Sequence, residues 1–244
     1  MHGTLSWDPS HARELSSHYQ AAPAARIVEA VIKVGFPGRI ALVSSFGAES
    51  AVLLHMAAAV DPAVPVIFLE TGKLFPETLE YRDRLIDRLG LVDVRPAQPA
   101  AADLADHDPN GRLWAADPDR CCFLRKVLPL RQALKGFDAW FTGRKRYQGG
   151  ARAHLEMFEA QDGRVKINPL AHWDRHRIDT YIGRNRLPRH PLEAEGYPSI
   201  GCVPCTTPVG AGEGARTGRW CGRAKTECGI HLPSPQGLQP ADTR

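Results

Sequence analysis

The chain has 244 residues, 43% of them hydrophobic, with 31 Lys and Arg against 27 Asp and Glu and a formal net charge of +4. That length and apolar share are enough for one substantial core, with one domain plus a tail as the first expectation. A charge this near balance gives no global argument for a nucleic-acid or membrane partner, so any charge argument must be local. Residues 1–20 contain no basic stretch followed by an apolar core, and the densest apolar runs, 51–60 and 64–69, fall far short of the ~20 residues that span a bilayer. A soluble, cytoplasmic protein is therefore expected.

In chain order, residues 39–44 (Arg-Ile-Ala-Leu-Val-Ser) read as a strand, 44–47 as a tight loop and 48–60 as a helix. Residues 64–69 give a second strand, and 76–89 a helix that opens on Pro76 and stops at Gly90. Residues 91–95 read as a third strand, 121–134 as a helix and 138–143 as a fourth strand. The alternation predicts an α/β fold, a doubly wound and mostly parallel sheet with helices on both faces. After Leu187 the composition turns rich in Pro and Gly, which predicts loops and a flexible tail, with 233–244 disordered. The domain reading is an N-terminal helical or flexible segment (1–24), a nucleotide-binding domain (25–200) and a cysteine-bearing loop with a C-terminal tail (201–244).

Four constellations carry chemistry. The strand-loop-helix at 43–50 contains Ser44, Ser45, Gly47 and Ser50; a helix start after a strand leaves backbone N–H groups pointing outward, where a phosphate or sulfate binds. An ordinary turn with Ser44 or Ser45 as N-cap explains that segment equally well. It fits neither the P-loop nor the dinucleotide glycine pattern. Cys121-Cys122 and Cys202-Val-Pro-Cys205 supply four thiols, the number that a tetrahedral zinc or a cubane iron–sulfur cluster requires. Glu227-Cys228-Gly229-Ile230-His231 follows Arg216, Arg219, Arg223 and Lys225. A thiol attacks as its thiolate, which nearby cations favour, and Gly229 lets the tail bend. Last, Arg144-Lys145-Arg146, with Arg152 beyond, forms a cationic loop after a strand, where open α/β sheets bind ligands; the plainer alternative is a solvated charge run.

Taken together and in order, 45–50, 70–77, Cys121-Cys122 with Arg125-Lys126, 142–146, 201–206 and 227–231 resemble the sulfonucleotide reductases. The nearest group is similar to bacterial assimilatory adenylyl-sulfate reductases that carry a [4Fe–4S] cluster. The resemblance implies the fold of the adenine nucleotide alpha hydrolases (ATP pyrophosphatase-like), with a mobile catalytic C-terminal segment. It implies cluster ligation by Cys121, Cys122, Cys202 and Cys205, attack by Cys228 on the sulfur of adenosine 5′-phosphosulfate, release of AMP, and reduction of the S-sulfocysteine by thioredoxin or glutaredoxin to give sulfite for cysteine biosynthesis. By the same resemblance His231 joins Cys228 as catalytic, and Ser45, Ser50, Lys126, Arg144, Arg216 and Arg219 contact substrate. Glu70, Thr71 and Gly72 correspond to the nucleoside-pocket segment, Glu70 standing where Asp is commoner. Cys221 matches no family cysteine. A homo-oligomer is compatible with the sequence, which does not specify one.

The alternatives are a reductase of the 3′-phosphorylated substrate, a tRNA-thiolating ATP pyrophosphatase and a zinc-bound nucleotide-binding module. The four cysteines favour the unphosphorylated substrate by family association. The loop 45–50 lacks the Asp of the Ser-Gly-Gly-x-Asp-Ser pattern that tRNA-thiolating enzymes show.

Overall fold

Uninterrupted runs of Val, Ile, Leu and Phe suit strands covered on both faces. In the computed structural model, which describes residues 8–210 and 212–232, six strands form one sheet: β1 (Ile40–Ser44), β2 (Val66–Leu69), β3 (Val94–Ala97), β4 (Ala139–Phe141), β5 (Phe158–Gln161) and β6 (Arg164–Ile167). Their order is β3-β2-β1-β4-β6-β5, with every pairing parallel except the terminal β5–β6 hairpin. The expectation of a disordered 233–244 lies outside the described residues.

Nine helices accompany the sheet among the described residues: α1 (Pro9–His18), α2 (Ala24–Ala30), α3 (Ser50–Val60), α4 (Pro76–Leu89), α5 (Ala101–His107), α6 (Leu113–Ala116), α7 (Pro118–Cys122), α8 (Leu128–Ala133) and α9 (Arg175–Arg184). Successive strand side chains point to opposite faces. Ile40 and Leu42 of β1, with Val66 and Phe68 of β2, enter the larger core beside residues of α2, α3, α4 and α9. Ala41, Val43, Ile67, Leu69 and Trp140 enter the other core with Leu130 and Leu134. Each fully buried Leu, Ile or Phe contributes roughly 1.5–3 kcal/mol, so the two cores hold the strand ends in fixed register. This is the doubly wound arrangement that the alternation predicts.

Helix α4 runs from Pro76 to Leu89 and closes on Gly90 at φ 64°, as read. Other elements differ. The third strand lies at Val94–Ala97 and not at 91–95: Val92 is 72% exposed and pairing with β2 starts at Val94. Pro96 is tolerated because β3 is an edge. The stretch read as one helix over 121–134 is α7, a widened π-helical turn at Phe123–Val127 and α8. Helix α1 falls in the 1–24 segment read as helical or flexible, whereas the β5–β6 hairpin, α2 and α9 carry no expectation from sequence. Beyond α9, the described residues up to 232 form loops and short 3₁₀ turns such as Val203–Cys205. Among the described residues no helix is long and apolar enough to cross a membrane.

Candidate active site

At the carboxyl ends of β1, β2 and β4, where the chain order crosses from β1 to β4, lies a cavity of about 190 Å³. This switch point is where open α/β sheets bind ligands. The loop after β1 forms one wall. Ser44 Oγ accepts from Phe46 N–H at 3.0 Å, and Phe46 holds φ 48° with its ring fully buried. A left-handed phenylalanine is a strained conformation that persists only where the surroundings over-determine it; here the core does so. Helix α3 starts at Ser50 after Glu49, so neither Ser44 nor Ser45 is its N-cap. Ser45 and Ser50 both line the cavity, Ser50 Oγ donating to Gly47 O at 2.7 Å.

Lys126, Arg144, Arg152, Arg216 and Arg219 converge on the same space. Burial, then the neighbouring Arg152 cation, pulls Arg216 down to about 10. Burial likewise lowers Arg144 and Arg219. The acids Glu159 and Glu227 answer only part of this charge, Glu159 through Arg144 and Glu227 through both Arg152 and Arg216. An anion in the cavity would relieve the rest. His231 is half-buried with its Nδ1 enclosed; burial, then the Arg144 and Lys166 cations, holds it well below its ordinary value, so the ring is neutral at pH 7. Its Nδ1 has no hydrogen-bond partner among the described residues. Of the basic run after β4, Arg144 and Lys145 line the cavity, Lys145 Nζ donating to Glu49 at 2.5 Å, whereas Arg146 turns away and donates to Leu155 O at 2.7 Å.

Thr71 lines the cavity, whereas Glu70 and Gly72 do not; Glu70 Oε1 instead accepts from Gly72 N–H at 2.8 Å and shapes the turn. Arg125 ties that turn to the helix beside it, donating to Thr71 O at 2.8 Å and to the buried Asp108 at 2.5 Å.

Cys228 sits in the cavity wall near Lys126 and Arg219. The chain reaches it by doubling back along the 202–207 segment: Thr206 pairs antiparallel with Arg219, and Trp220 N–H donates to Cys205 O at 3.1 Å. Gly201 is the cradle for the Arg219 guanidinium, since a Cβ there would lie 2.5 Å from Arg219 Cζ.

Cys121, Cys122, Cys202 and Cys205 surround a second, smaller hollow that shares Lys126 and Trp220 with the first. Cys202 is fixed by Val203 N–H donating to Lys73 O at 2.8 Å, and its Sγ lies 3.3 Å from Thr71 Oγ1. Burial pushes the Cys121 and Cys205 thiols up, and Cys122 to about 12. Burial acts on Cys202 in the same sense, but Lys126, Thr71 and Arg219 outweigh it and lower that thiol. For Lys126 burial lowers and the thiols of Cys202, Cys228 and Cys122 raise, with the thiols prevailing. Among the described residues no three His, Cys, Asp or Glu side chains converge as ligands of a single ion would. A four-iron cluster takes one thiolate per iron and needs no such convergence, so this soft, all-sulfur set fits one. Cys221 is exposed and lines neither hollow.

The structure thus brings Ser45, Ser50, Thr71, Lys126, Arg144, Arg216, Arg219, Cys228 and His231 around one cavity. Sequence reasoning placed Arg152 in a cationic loop and Arg125, Gly201 and Glu227 inside recognised motifs, but gave the last three no individual role.

Residues 39–208 match the family model of the phosphoadenosine phosphosulfate reductase domain. The chain is 51% identical over 231 residues to an adenosine 5′-phosphosulfate reductase of Chelativorans sp. (strain BNC1), covering 94% of each. It is 54% identical over 206 residues to one of Mesorhizobium japonicum, covering 84% of this chain and 81% of that one. Among solved structures, a phosphoadenylyl-sulfate reductase from Candida auris in a phosphate complex superposes with a TM-score of 0.72 at 27% identity, covering 84% of this chain and 100% of that chain. An FMN adenylyltransferase from Candida glabrata at 15% identity, covering 81% of this chain and 73% of that one with a TM-score of 0.55, shares the fold alone.

Proposed function

Since the chain belongs to the phosphoadenosine phosphosulfate reductase domain family, we propose that it reduces adenosine 5′-phosphosulfate to sulfite and AMP, an oxidoreductase step on sulfur in sulfate assimilation. The observation that carries the reading is a thiol, Cys228, set in a ring of buried and half-buried, incompletely neutralised cations.

The Cys228 thiolate attacks the sulfur of the bound phosphosulfate. A new S–S bond forms, the S–O bond to the phosphate breaks, and AMP leaves with that electron pair. Lys126, Arg144, Arg216 and Arg219 hold the phosphate and sulfate oxygens, stabilising charge as it gathers on the departing phosphate. Neutral His231 offers its unpartnered ring nitrogen to the same oxygens. Ser45, Ser50 and the Glu70-Thr71-Gly72 turn hold the nucleotide, Thr71 by contact and Glu70 and Gly72 by shaping the turn. The S-sulfocysteine is then attacked at its Cys228 sulfur by a thiolate of a dithiol protein, thioredoxin or glutaredoxin. Sulfite leaves, and the second thiol of that protein resolves the mixed disulfide, supplying two electrons in all.

Cys121, Cys122, Cys202 and Cys205 would hold a [4Fe–4S] cluster, which when bound supplies a charged inorganic centre beside Lys126. Lys126 itself orients substrate from the wall common to both hollows.

The test is to incubate the protein with adenosine 5′-phosphosulfate and no reductant, then to search its peptides by mass spectrometry. A sulfonate on the peptide containing Cys228 is expected; a sulfonate elsewhere, or none, overturns the reading. Because a relative from Gloeobacter violaceus, 42% identical over 215 residues (86% of this chain, 88% of that one), is named a phosphoadenosine 5′-phosphosulfate reductase, kcat/KM for both nucleotides belongs in the same experiment. A preference for the 3′-phosphorylated one would reverse the substrate assignment.

A further inference from the structure

The segment bearing Cys228 joins no sheet or helix, yet three successive carbonyls near its end are satisfied by two side chains of the β5–β6 hairpin. Gln161 Nε2 donates to Ile230 O and to Leu232 O, each at 3.1 Å. Lys166 Nζ donates to His231 O at 3.5 Å and to Gln161 Oε1 at 2.6 Å, so one amine holds both the clamp and the clamped backbone. Between these carbonyls the His231 ring stacks on Trp140, with centroids 5.9 Å apart and planes 4° from parallel. Ile230 enters the core that contains Trp140. On the other side of the thiol, Arg152 grips Glu227 with two hydrogen bonds of 2.5 and 2.9 Å. Cys228 is therefore suspended between two clasps, with Gly229 at φ 89° turning the chain from one to the other.

The hairpin is built for this. Its two-residue turn places Asp162 and Gly163 both at positive φ, the geometry that matches strand twist. This pins Gln161 as the last paired residue, opposite Arg164. Neither Gln161 nor Lys166 is among the residues lining the substrate cavity.

The geometry points to the β5–β6 hairpin as the dock of the catalytic segment, with Gln161 as the positioning residue that sets the Cys228 thiol over the cavity. The clasp is made of side chains against backbone, so it opens without unfolding any strand, as the second half-reaction requires if a protein dithiol is to reach the sulfur. The catalytic part of this inference rests on Cys228 being the nucleophile proposed above; the docking part does not.

The test uses the full-length, cluster-loaded protein with Gln161→Leu, which removes both ends of the clamp, and Gln161→Glu, which removes the donor but keeps the partner of Lys166. Three quantities are measured: the rate of Cys228 alkylation by iodoacetamide, the single-turnover rate of sulfonate transfer from adenosine 5′-phosphosulfate, and the affinity for AMP. In both variants alkylation is expected to rise about ten-fold and sulfonate transfer to fall by a similar factor, the order that two neutral hydrogen bonds carry, while AMP affinity holds. Alkylation at the parent rate in both variants overturns the dock. A loss of AMP affinity matching the fall in transfer would assign Gln161 to the structure of the pocket and overturn its positioning role. If the parent protein takes up no sulfonate at Cys228, the nucleophile assignment fails, and alkylation still decides the dock.

Discussion

The four cysteines of the smaller hollow and the thiol of Cys228 are one side chain in two unlike settings. Cys121 and Cys122 close a helix, and Cys202 is locked by backbone pairing with the 71–74 turn. Cys228 is half-buried and held through its neighbours' contacts with side chains of Arg152, Gln161 and Lys166. Backbone pairing makes a site permanent because it opens only when the element melts; side-chain clasps make one that is ordered and releasable. The contrast fits the roles proposed above, ligands in the locked set and the reagent in the releasable segment.

The sharpest break between the two sets is Cys228→Ser. It should abolish sulfite release and sulfonate uptake while leaving iron content and nucleotide binding unchanged, measured by sulfite assay, visible absorbance and AMP titration. Cys202→Ser should do the reverse, losing the iron and loosening the 71–74 turn, because ligand binding and local folding are coupled. Retained iron in that variant would remove Cys202 from the ligand set.

Gly201→Ala tests the seam between the regions: the added methyl group displaces Arg219, and kcat/KM should fall about 100-fold, the scale of losing one oriented charge-stabilising donor. Iron content should hold. Glu227→Gln weakens the clasp to Arg152 and, with it, the 3.4 Å ion pair of Glu227 with Arg216. A hydrogen bond between charged groups contributes about 2 kcal/mol, so the undocked population should rise roughly thirty-fold, seen as faster amide exchange over 226–232.

The smallest effect is in pH. His231 is held well below its ordinary value of 6.5 by burial and by the Arg144 and Lys166 cations. The released segment therefore binds a proton that the docked one excludes, and docking weakens as pH falls below about 6.5, by at most about 1.4 kcal/mol per pH unit. Exchange rates over 226–232 at pH 7 and pH 6 should show the slope, and His231→Asn should flatten it.

What the sequence disclosed divides along similar lines. β1, β2 and α4 were legible because both-face burial writes itself as runs such as Ile-Ala-Leu-Val, and because Pro76 and Gly90 mark helix ends. The β5–β6 hairpin was not: Phe-Glu-Ala-Gln and Arg-Val-Lys-Ile are short and half polar, β5 because it is an edge strand and β6 because it buries the charged Lys166 beside Val165 and Ile167. Helix α9 buries little beyond Ile178 and Ile182, too thin a stripe to read. At the site, thiols and cations advertised themselves by type and spacing. The partners that decide which cations stay free, Glu49 for Lys145 and Glu227 for Arg152, come from 96 and 75 residues away. Only the folded chain brings them together.

The buried ring of Phe46 fastens the β1 loop to the interior, so that loop can soften only when the domain does. The segment that carries Cys228 is held more lightly, by Ile230 at the margin of the other core and by side-chain clasps on its backbone. On warming, the first property to vanish should therefore be chemistry and the last should be grip: an intermediate temperature leaves a protein that still captures its nucleotide yet has let go of the sulfur that would act on it.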